Sequence, residues 1–294
     1  MARTDNLTNF LTDIANIIRQ KKVDGESNCI ANEILNAKIE ANTFDDEIIE
    51  LPSYRNLNGE HRNYIFDAIQ MSENPITSID FQNTQPIILG YDAEFLFAGY
   101  DTLQSILNLD SLQTYSCLSF KQMFSGCGIT SLNLGFNTDS AVNFYGMCQS
   151  CPNLESVEIG FDAREGKDFS NMFQGCENLS SITGIDMMST SNGIDFSFMF
   201  QDCRSLTSLD LGTWDLSNAK DITNMFNLCT SLEFLNVSQF EFSNIENTNS
   251  CLADINTNCE IIVKDDTEKN WVLNNYPELQ NVKTVAEYEA SLNE

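Results

Sequence analysis

The sequence predicts an α/β repeat solenoid, in which short parallel strands alternate with bends or short helices along one continuous core. One phrase occurs almost unchanged twice, as FSNMFQGCENLSSI from Phe169 and as FSFMFQDCRSLTSL from Phe196. Related phrases begin at Phe120, Phe144 and Ile222, and the cysteines of the five copies advance by 24, 25, 27 and 26 residues. A fixed period of this length is the signature of stacked supersecondary units.

Each repeat unit combines a strand pattern with a helix-like pattern. The second half of a unit reads L-x-x-L-x-L, as in Leu206, Leu209 and Leu211. The last two leucines alternate with polar residues, and this period of two predicts a short strand with one buried face. The preceding Phe-x-x-Met-Phe-x-x-Cys has near-helical spacing, so we predict a helical or 3₁₀ turn opposite the strand. A single unit cannot bury its apolar face alone, so neighbouring units are expected to stack.

Composition changes along the chain divide it into four predicted segments. Residues 1–50 form a helical docking module, 51–92 a transition with an irregular first repeat, 93–263 the solenoid, and 264–294 a C-terminal cap and tail. In the first segment, apolar residues recur every three or four positions behind a Thr-Asp-Asn start, which predicts a capped amphipathic helix. Its apolar face consists of Leu7, Phe10, Leu11, Ile14, Ile17 and Ile18.

The charge of the chain excludes several partners. Acidic residues outnumber basic ones by 43 to 15, giving a net charge of −28 and a pI near 4.1. A polyanion would be repelled, so we expect no nucleic-acid binding. The first residues lack the apolar run of a signal peptide, and no stretch has the length of about 18 apolar residues that a membrane span needs, so we expect no membrane insertion.

The residues that first suggest chemistry have simpler interpretations. The cysteines at 127, 151, 176, 203 and 229 occupy one repeat position, which predicts a buried, reduced column rather than disulfides. Cys148 and Cys151 have C-x-x-C spacing without a second pair, so a metal or redox role is the weaker alternative. His61 is the one histidine of the sequence and no catalytic motif accompanies it. The sequence therefore predicts no catalytic, metal or cofactor site.

The predicted strands single out a different set of residues. Polar side chains between the buried strand positions should line the exposed face of the parallel sheet, the surface that solenoids commonly present to ligands. This candidate binding face comprises Ser131, Asn133, Ser156, Glu158, Ser181, Thr183, Ser208, Asp210, Phe234 and Asn236. Its carboxylates could bind calcium if they aligned, but a solvated polar ladder is the preferred interpretation. An aromatic row consists of Phe136, Phe161, Trp214 and Phe240. These rings could bind sugars, but packing in the core is the favoured interpretation.

The repeat resembles the BspA-like class of leucine-rich repeats. The segment most similar to that class is LDLGTWDLSNAKDITNMFNLCTSLEFL, from Leu209 to Leu235. The resemblance covers roughly residues 63–263. The resemblance implies a right-handed superhelix with the parallel sheet on its concave face. It also implies adhesion or protein binding rather than catalysis, with a bacterial surface adhesin or a cell-wall-active enzyme as alternatives.

The two ends of the chain resemble parts of phage proteins. NLTNFLTDIANIIRQKK, followed by KIEANTFDDEIIEL, is similar to an N-terminal module of tail and baseplate proteins from phages of Gram-positive bacteria, and the ending from Val263 is similar to proteins of the same clusters. These likenesses imply a virion protein made in the host cytoplasm. They imply other tail or baseplate proteins as partners of residues 1–50, and a host surface protein or glycan as partner of the solenoid. The sequence leaves open whether the protein forms homo-oligomers.

Overall fold

A computed structural model describes residues 48–50, 77–80, 87–89 and 92–293 of the chain. The predicted docking helix and His61 lie outside these residues. Strand β1 spans Ile48–Glu50, and the strands after it are β2 (Ser78–Asp80), β3 (Ile87–Ile88), β4 (Ser105–Leu107), β5 (Leu112–Gln113), β6 (Ser131–Leu134), β7 (Ser156–Ile159), β8 (Ser181–Thr183), β9 (Ser208–Asp210), β10 (Phe234–Val237), β11 (Glu260–Val263) and β12 (Val282–Thr284). Helix α1 spans Asp266–Asn275 and α2 spans Val285–Ser291.

The strands confirm the predicted fold class. The chain forms a parallel solenoid of about eight turns, and each strand pairs in parallel with the strand of the next turn except where the sheet is interrupted. In β6 the side chains alternate strictly between exposed and buried, as the period of two predicted. Three short 3₁₀ helices follow strands at the corner: Leu109–Ser111, Ile185–Met187 and Phe242–Asn244.

The core is a set of columns that run along the solenoid. Phe120, Phe144, Phe169 and Phe196 are fully buried, and their successive ring centroids lie 5.9, 5.2 and 5.1 Å apart in stacked geometry. Rings at these separations attract each other beyond the area they bury. Each of these four turns contributes one ring, so removing Phe144 or Phe169 breaks stacking contacts with two neighbouring rings.

The segment opposite the strands is not a helix, so this prediction is wrong. We call the eight-residue stretches that begin at residues 93, 120, 144, 169, 196, 222 and 248 the bend segments. In the second of them, the N–H groups of Phe120, Gln122 and Phe124 donate to carbonyls of the next turn at 2.8 Å, while those of Met123 and Ser125 donate to the carbonyl three residues back. The third and seventh residues of every bend segment have positive φ. The backbone of a bend segment thus alternates between right-handed and left-handed conformations. About half of its N–H groups point along the solenoid axis and donate to the next turn.

The cysteine column has a bonding role besides its volume. The thiols of Cys127, Cys151, Cys176, Cys203 and Cys229 are buried and reduced, as predicted. Each thiol donates to a carbonyl of the preceding turn, for example Cys203 Sγ to Phe173 O at 3.2 Å and Cys229 Sγ to Phe200 O at 3.1 Å. A plain apolar side chain would leave that contact unmade. The thiol therefore links successive turns inside the core.

An amide ladder ties the bend segments together near the surface. The Gln149 Nε2 donates to Gln174 Oε1 at 2.6 Å, and the Gln174 Nε2 donates to Gln201 Oε1 at 2.6 Å. The row continues through Asn227 and ends on a carboxylate oxygen of Asp254. All amides point the same way, so each side chain donates to one neighbour and accepts from the other.

We expect Gln174→Ala to lower the free energy of unfolding by about 1 to 3 kcal/mol, because two hydrogen bonds of the ladder are lost at once. Glu177→Ala is a matched control, since Glu177 is exposed three residues away, and it should change stability by less than about 0.5 kcal/mol. Urea unfolding monitored by circular dichroism measures both. Equal midpoints for the two variants would show that the ladder contributes nothing.

The strand side of the solenoid is interrupted at two places within the described residues, between β4 and β6 and between β8 and β9. Strands β8 and β9 belong to different sheets, although the bend segments of the same two turns remain bonded, as in Phe173 N to Met199 O at 2.9 Å. Ile182, which faces inward from β8, is only partly buried, whereas Leu209 of β9 is buried. Gly184 ends β8 with a φ of 73° where other turns place an aliphatic residue. This interruption, the β8–β9 seam, divides the strand face.

Candidate binding face

The outward side of the strands carries two columns of side chains. The first column is a row of serines: Ser78, Ser105, Ser131, Ser156, Ser181 and Ser208. Neighbours in this row are paired in register within each sheet, and Ser78 Oγ lies 2.7 Å from Ser105 Oγ. Ser131, Ser181 and Ser208 are exposed. The predicted face thus begins with small hydroxyl groups repeated at strand spacing, about 4.8 Å.

The second outward column joins amides to carboxylates. Asn133 Nδ2 donates to Glu158 Oε2 at 2.7 Å, and Asn236 Nδ2 donates to Asp210 Oδ1 at 2.8 Å. Thr183 stands between these pairs and is exposed. The hydrogen bonds hold the carboxylates of Glu158 and Asp210 at defined positions on the surface. Each keeps a second oxygen for a ligand.

The charge of this face has one sign. Glu155 and Glu233, immediately before β7 and β10, are exposed beside Glu158 and Asp210. No lysine or arginine occupies an outward position of β6 to β9. The nearby arginines pair at the rim instead, Arg164 with Asp162 at 2.6 Å and Arg204 with Asp202 at 2.6 Å. A neutral or cationic partner therefore fits the face, and a polyanion does not.

Three predicted face residues are only half exposed: Ser156 in β7, and both Phe234 and Asn236 in β10. Phe234 is flanked in register by Ser208 and Glu260, and its ring centroid lies 6.0 Å from that of Tyr288 on α2. The open part of the face therefore runs through β6, β7, β8 and β9 and stops at β10. Sequence reasoning missed this cover because Tyr288 lies 54 residues away along the chain.

The other candidate chemistry lies inside the protein. Phe136, Phe161, Trp214 and Phe240 are buried, which confirms that the aromatic row packs the core. Cys148 is also fully buried, and burial raises the pKa of its thiol well above the ordinary value. In the described part of the chain, no three His, Cys, Asp or Glu residues are placed to hold a metal ion. No helix there is long and apolar enough to cross a membrane.

Comparison with known proteins places the chain in a family. A family model described as a Mycoplasma protein of unknown function, DUF285, matches residues 91–184 and 160–264, which together are more than half of the chain. The chain belongs to the DUF285 family. The match covers the seven bend segments and strands β4 to β11, so membership of DUF285 concerns the solenoid itself. A search of curated proteins found no match.

Solved structures similar to this DUF285 chain include a crystal structure of a leucine-rich repeat protein from Bacteroides ovatus, with 15% sequence identity and a TM-score of 0.22. The alignment covers 70% of this chain and 65% of that chain, so the DUF285 chain spans slightly less than two thirds of its length. Because the two shapes superpose poorly, the likeness carries no argument about function.

Proposed function

We propose that this DUF285 chain is a non-enzymatic binding protein that engages its partner through the open strand face from β6 to β9. The observation that supports this is the regular outward display of hydroxyl, amide and carboxylate groups on the paired strands β6, β7 and β8, which β9 continues beyond the β8–β9 seam. Strands held by hydrogen bonds to their neighbours suit binding because their side chains lose little further freedom when a partner arrives. The partner is a host cell-surface protein, a glycan or a neighbouring structural subunit.

The proposal is binding without turnover. The described thiols that could act as nucleophiles are buried, and burial raises the pKa of Cys203 and Cys229, so neither is a thiolate at neutral pH. The exposed carboxylates of the face bond to amides of neighbouring turns. A cell-wall-active enzyme is the least supported candidate.

The finer proposal is a phage or prophage virion protein of the tail-fibre, baseplate or receptor-binding type. Its support is the similarity of both chain ends to tail-associated proteins of such phages. Residues 1–50 would then dock the protein to other tail or baseplate subunits, and the solenoid would face the host. The alternative is a BspA-like surface adhesin on a bacterial cell, which the family description as a Mycoplasma protein favours.

The strand-face assignment is tested by placing one bulky charge on the face. We expect Ser208→Arg to weaken binding of the labelled protein to host cells at least tenfold, because the exposed Ser208 lies between the β8–β9 seam and Phe234. Ser217→Arg is the matched control, since Ser217 is exposed in the same turn outside the strand. If Ser208→Arg binds as well as wild type and Ser217→Arg does not, the assignment is wrong.

The location is tested separately with gold-labelled antibody in electron micrographs of an induced culture. Label on particle tails supports the virion proposal. Label on cells that release no particles supports the adhesin instead. Sustained release of sugar or peptide fragments from purified cell walls would contradict both.

A further inference from the structure

The β8–β9 seam lacks the backbone hydrogen bonds that join other turns. In a regular pair of turns, the N–H of the residue before a strand donates to the equivalent carbonyl of the preceding turn, as from Ser180 N to Glu155 O at 3.0 Å. The interruption between β4 and β6 keeps this bond, from Thr130 N to Gln104 O at 3.1 Å. Across the β8–β9 seam, the equivalent bond from Thr207 N to Ser180 O is missing.

The far end of β8 lacks its ladder bond too. Leu211 follows β9 and donates its N–H to Asn236 O of the next turn at 2.8 Å. Gly184 follows β8 at the equivalent position, but its N–H has no acceptor in the turn of β9. The Cα atoms of β8 and β9 lie for the most part more than 8 Å apart, whereas paired strands lie about 4.8 Å apart. The seam is therefore a slot between two strand edges.

Hydrogen bonds close this slot at both ends. Ser205 N donates to Glu177 O at 3.1 Å before the strands begin. After they end, Trp214 Nε1 donates to Ile185 O at 2.8 Å. The opening is thus confined to the three residues of each strand, a length of about 10 Å.

The slot connects the outward face with the apolar interior. Outward residues on its two sides, Ser181 and Ser208, are exposed. Ile182 faces inward from β8 but is only partly buried. Met187, on the 3₁₀ helix at the closed end, is 73% exposed. A chain lying in the slot would therefore meet polar groups on its outer side and apolar side chains on its inner side.

The surroundings of the slot are acidic. Glu158 is paired in register with Thr183 of β8, and Asp210 lies on β9, so one carboxylate stands on each side of the slot. The hydrogen bonds of Asp210 from Gly212 N and Asn236 Nδ2 both end on Oδ1, which leaves Oδ2 for a ligand. No lysine or arginine occupies an outward position of β6 to β9. Cationic side chains on a bound chain complement this charge.

We propose that the β8–β9 seam is a docking slot for an extended segment of a partner protein, with an apolar side chain between two cationic ones. The apolar side chain covers Ile182, and the cationic ones face Glu158 and Asp210. An extended chain fits because its backbone carries N–H and C=O groups on both sides, so it bonds to both strand edges at once. With the segment inserted, β8 and β9 stand two strand spacings apart, about 9.6 Å. The docking slot rests on the proposed function of the strand face.

The first test compares proline at two equivalent serines. Phe234 N donates to the preceding turn, at Thr207 O, so the N–H of Ser208 at the same strand position points into the slot. Ser181 is paired with Ser156 in the β7–β8 ladder. Proline lacks the N–H, so Ser181→Pro should lower the urea midpoint by about 0.3 to 1 M. Ser208→Pro should leave the midpoint unchanged, and an equal loss in both variants would overturn the slot.

The second test measures amide exchange in the full chain. The amides of Gly184 and Thr207 should exchange at least tenfold faster than those of Leu211 and Glu233, which occupy the same positions in bonded turns. The peptide acetyl-Gly-Lys-Val-Lys-Gly-amide at saturation should slow the exchange of Gly184 and Thr207 at least tenfold. The same peptide with N-methylvaline, and acetyl-Gly-Glu-Val-Glu-Gly-amide, should not.

Slow exchange of Gly184 and Thr207 before peptide is added would overturn the slot, and so would equal protection by the three peptides. Dimerisation that protects these amides, seen in sedimentation velocity, would identify a second copy as the occupant and overturn a partner segment. Loss of cell binding in Ser208→Arg, without protection by the lysine peptide, would overturn the slot and leave the strand-face assignment standing.

Discussion

Raising the pH above 9 is expected to unfold this solenoid cooperatively. Burial raises the pKa of the thiols of Cys229, Cys251 and Cys259 from 9.0 to about 12. Burial also raises the pKa of Cys127, Cys148, Cys176 and Cys203. The folded state keeps these groups neutral, whereas the unfolded chain releases their protons near the ordinary thiol pKa.

The sign of the effect follows from this difference. A group whose pKa is raised by folding contributes its full stability below the unfolded pKa and loses it as pH rises toward the folded pKa. One pH unit above 9.0, each such thiol costs about 1.4 kcal/mol. Several thiols together approach the whole free energy of unfolding of a typical domain, about 5 to 15 kcal/mol. We therefore expect stability to collapse between about pH 9 and pH 11.

Urea midpoints measured from pH 7 to pH 11, together with thiolate absorbance at 240 nm, check this expectation. The absorbance should appear with the loss of circular dichroism rather than before it. Cys29 lies outside the described residues, so Cys29→Ser removes its separate signal. Thiolate formation at pH 9 in a chain that keeps its circular dichroism would contradict the buried column.

Replacing Gly184 by alanine is expected to be the most damaging single-methyl change at the β8–β9 seam. A Cβ at this position would lie 2.1 Å from Ile159 O, a backbone atom that cannot step aside, and the φ of 73° is unfavourable for any L side chain. The left-handed conformation costs about 1 to 2 kcal/mol, and the steric overlap adds about 1 to 3 kcal/mol. We therefore expect Gly184→Ala to cost about 2 to 5 kcal/mol.

The matched control is Gly99→Ala. Gly99 has a φ of 81°, but a Cβ there would meet nothing within 4 Å. Only the conformational cost of about 1 to 2 kcal/mol should appear. Urea unfolding of both variants separates the two contributions. If the two variants lose the same free energy of unfolding, the backbone moves to relieve the contact between the added Cβ and Ile159 O. The larger cost predicted for Gly184→Ala is then wrong.

The repeat made much of the architecture predictable. The spacing of the five cysteines defined the period, and the alternation around Leu209 defined the strand and its buried face. Both depend on local patterns that recur, so each copy corroborates the others. The same repeat period predicted that the aromatic row, which includes Phe136 and Trp214, packs in the core, and both residues are buried.

The bend segments show where a periodic pattern misleads. Apolar residues at the first, fourth, fifth and eighth positions fit one face of a helix, but overlapping turns with alternating hand place them on the same side as well. The better signal was glycine at the third or seventh position, as at Gly126, Gly146 and Gly175, because glycine favours positive φ. Phe95 and Phe198 adopt positive φ without such a signal.

The sequence by itself determined the solenoid, its buried columns and the outward position of residues such as Ser131 and Asp210, because these depend on contacts that repeat from turn to turn. The tertiary structure alone decided three further features: the β8–β9 seam, the thiol bonds between turns, and the cover of Phe234 by Tyr288. Each depends on contacts between residues far apart in the chain. A local pattern cannot encode such contacts.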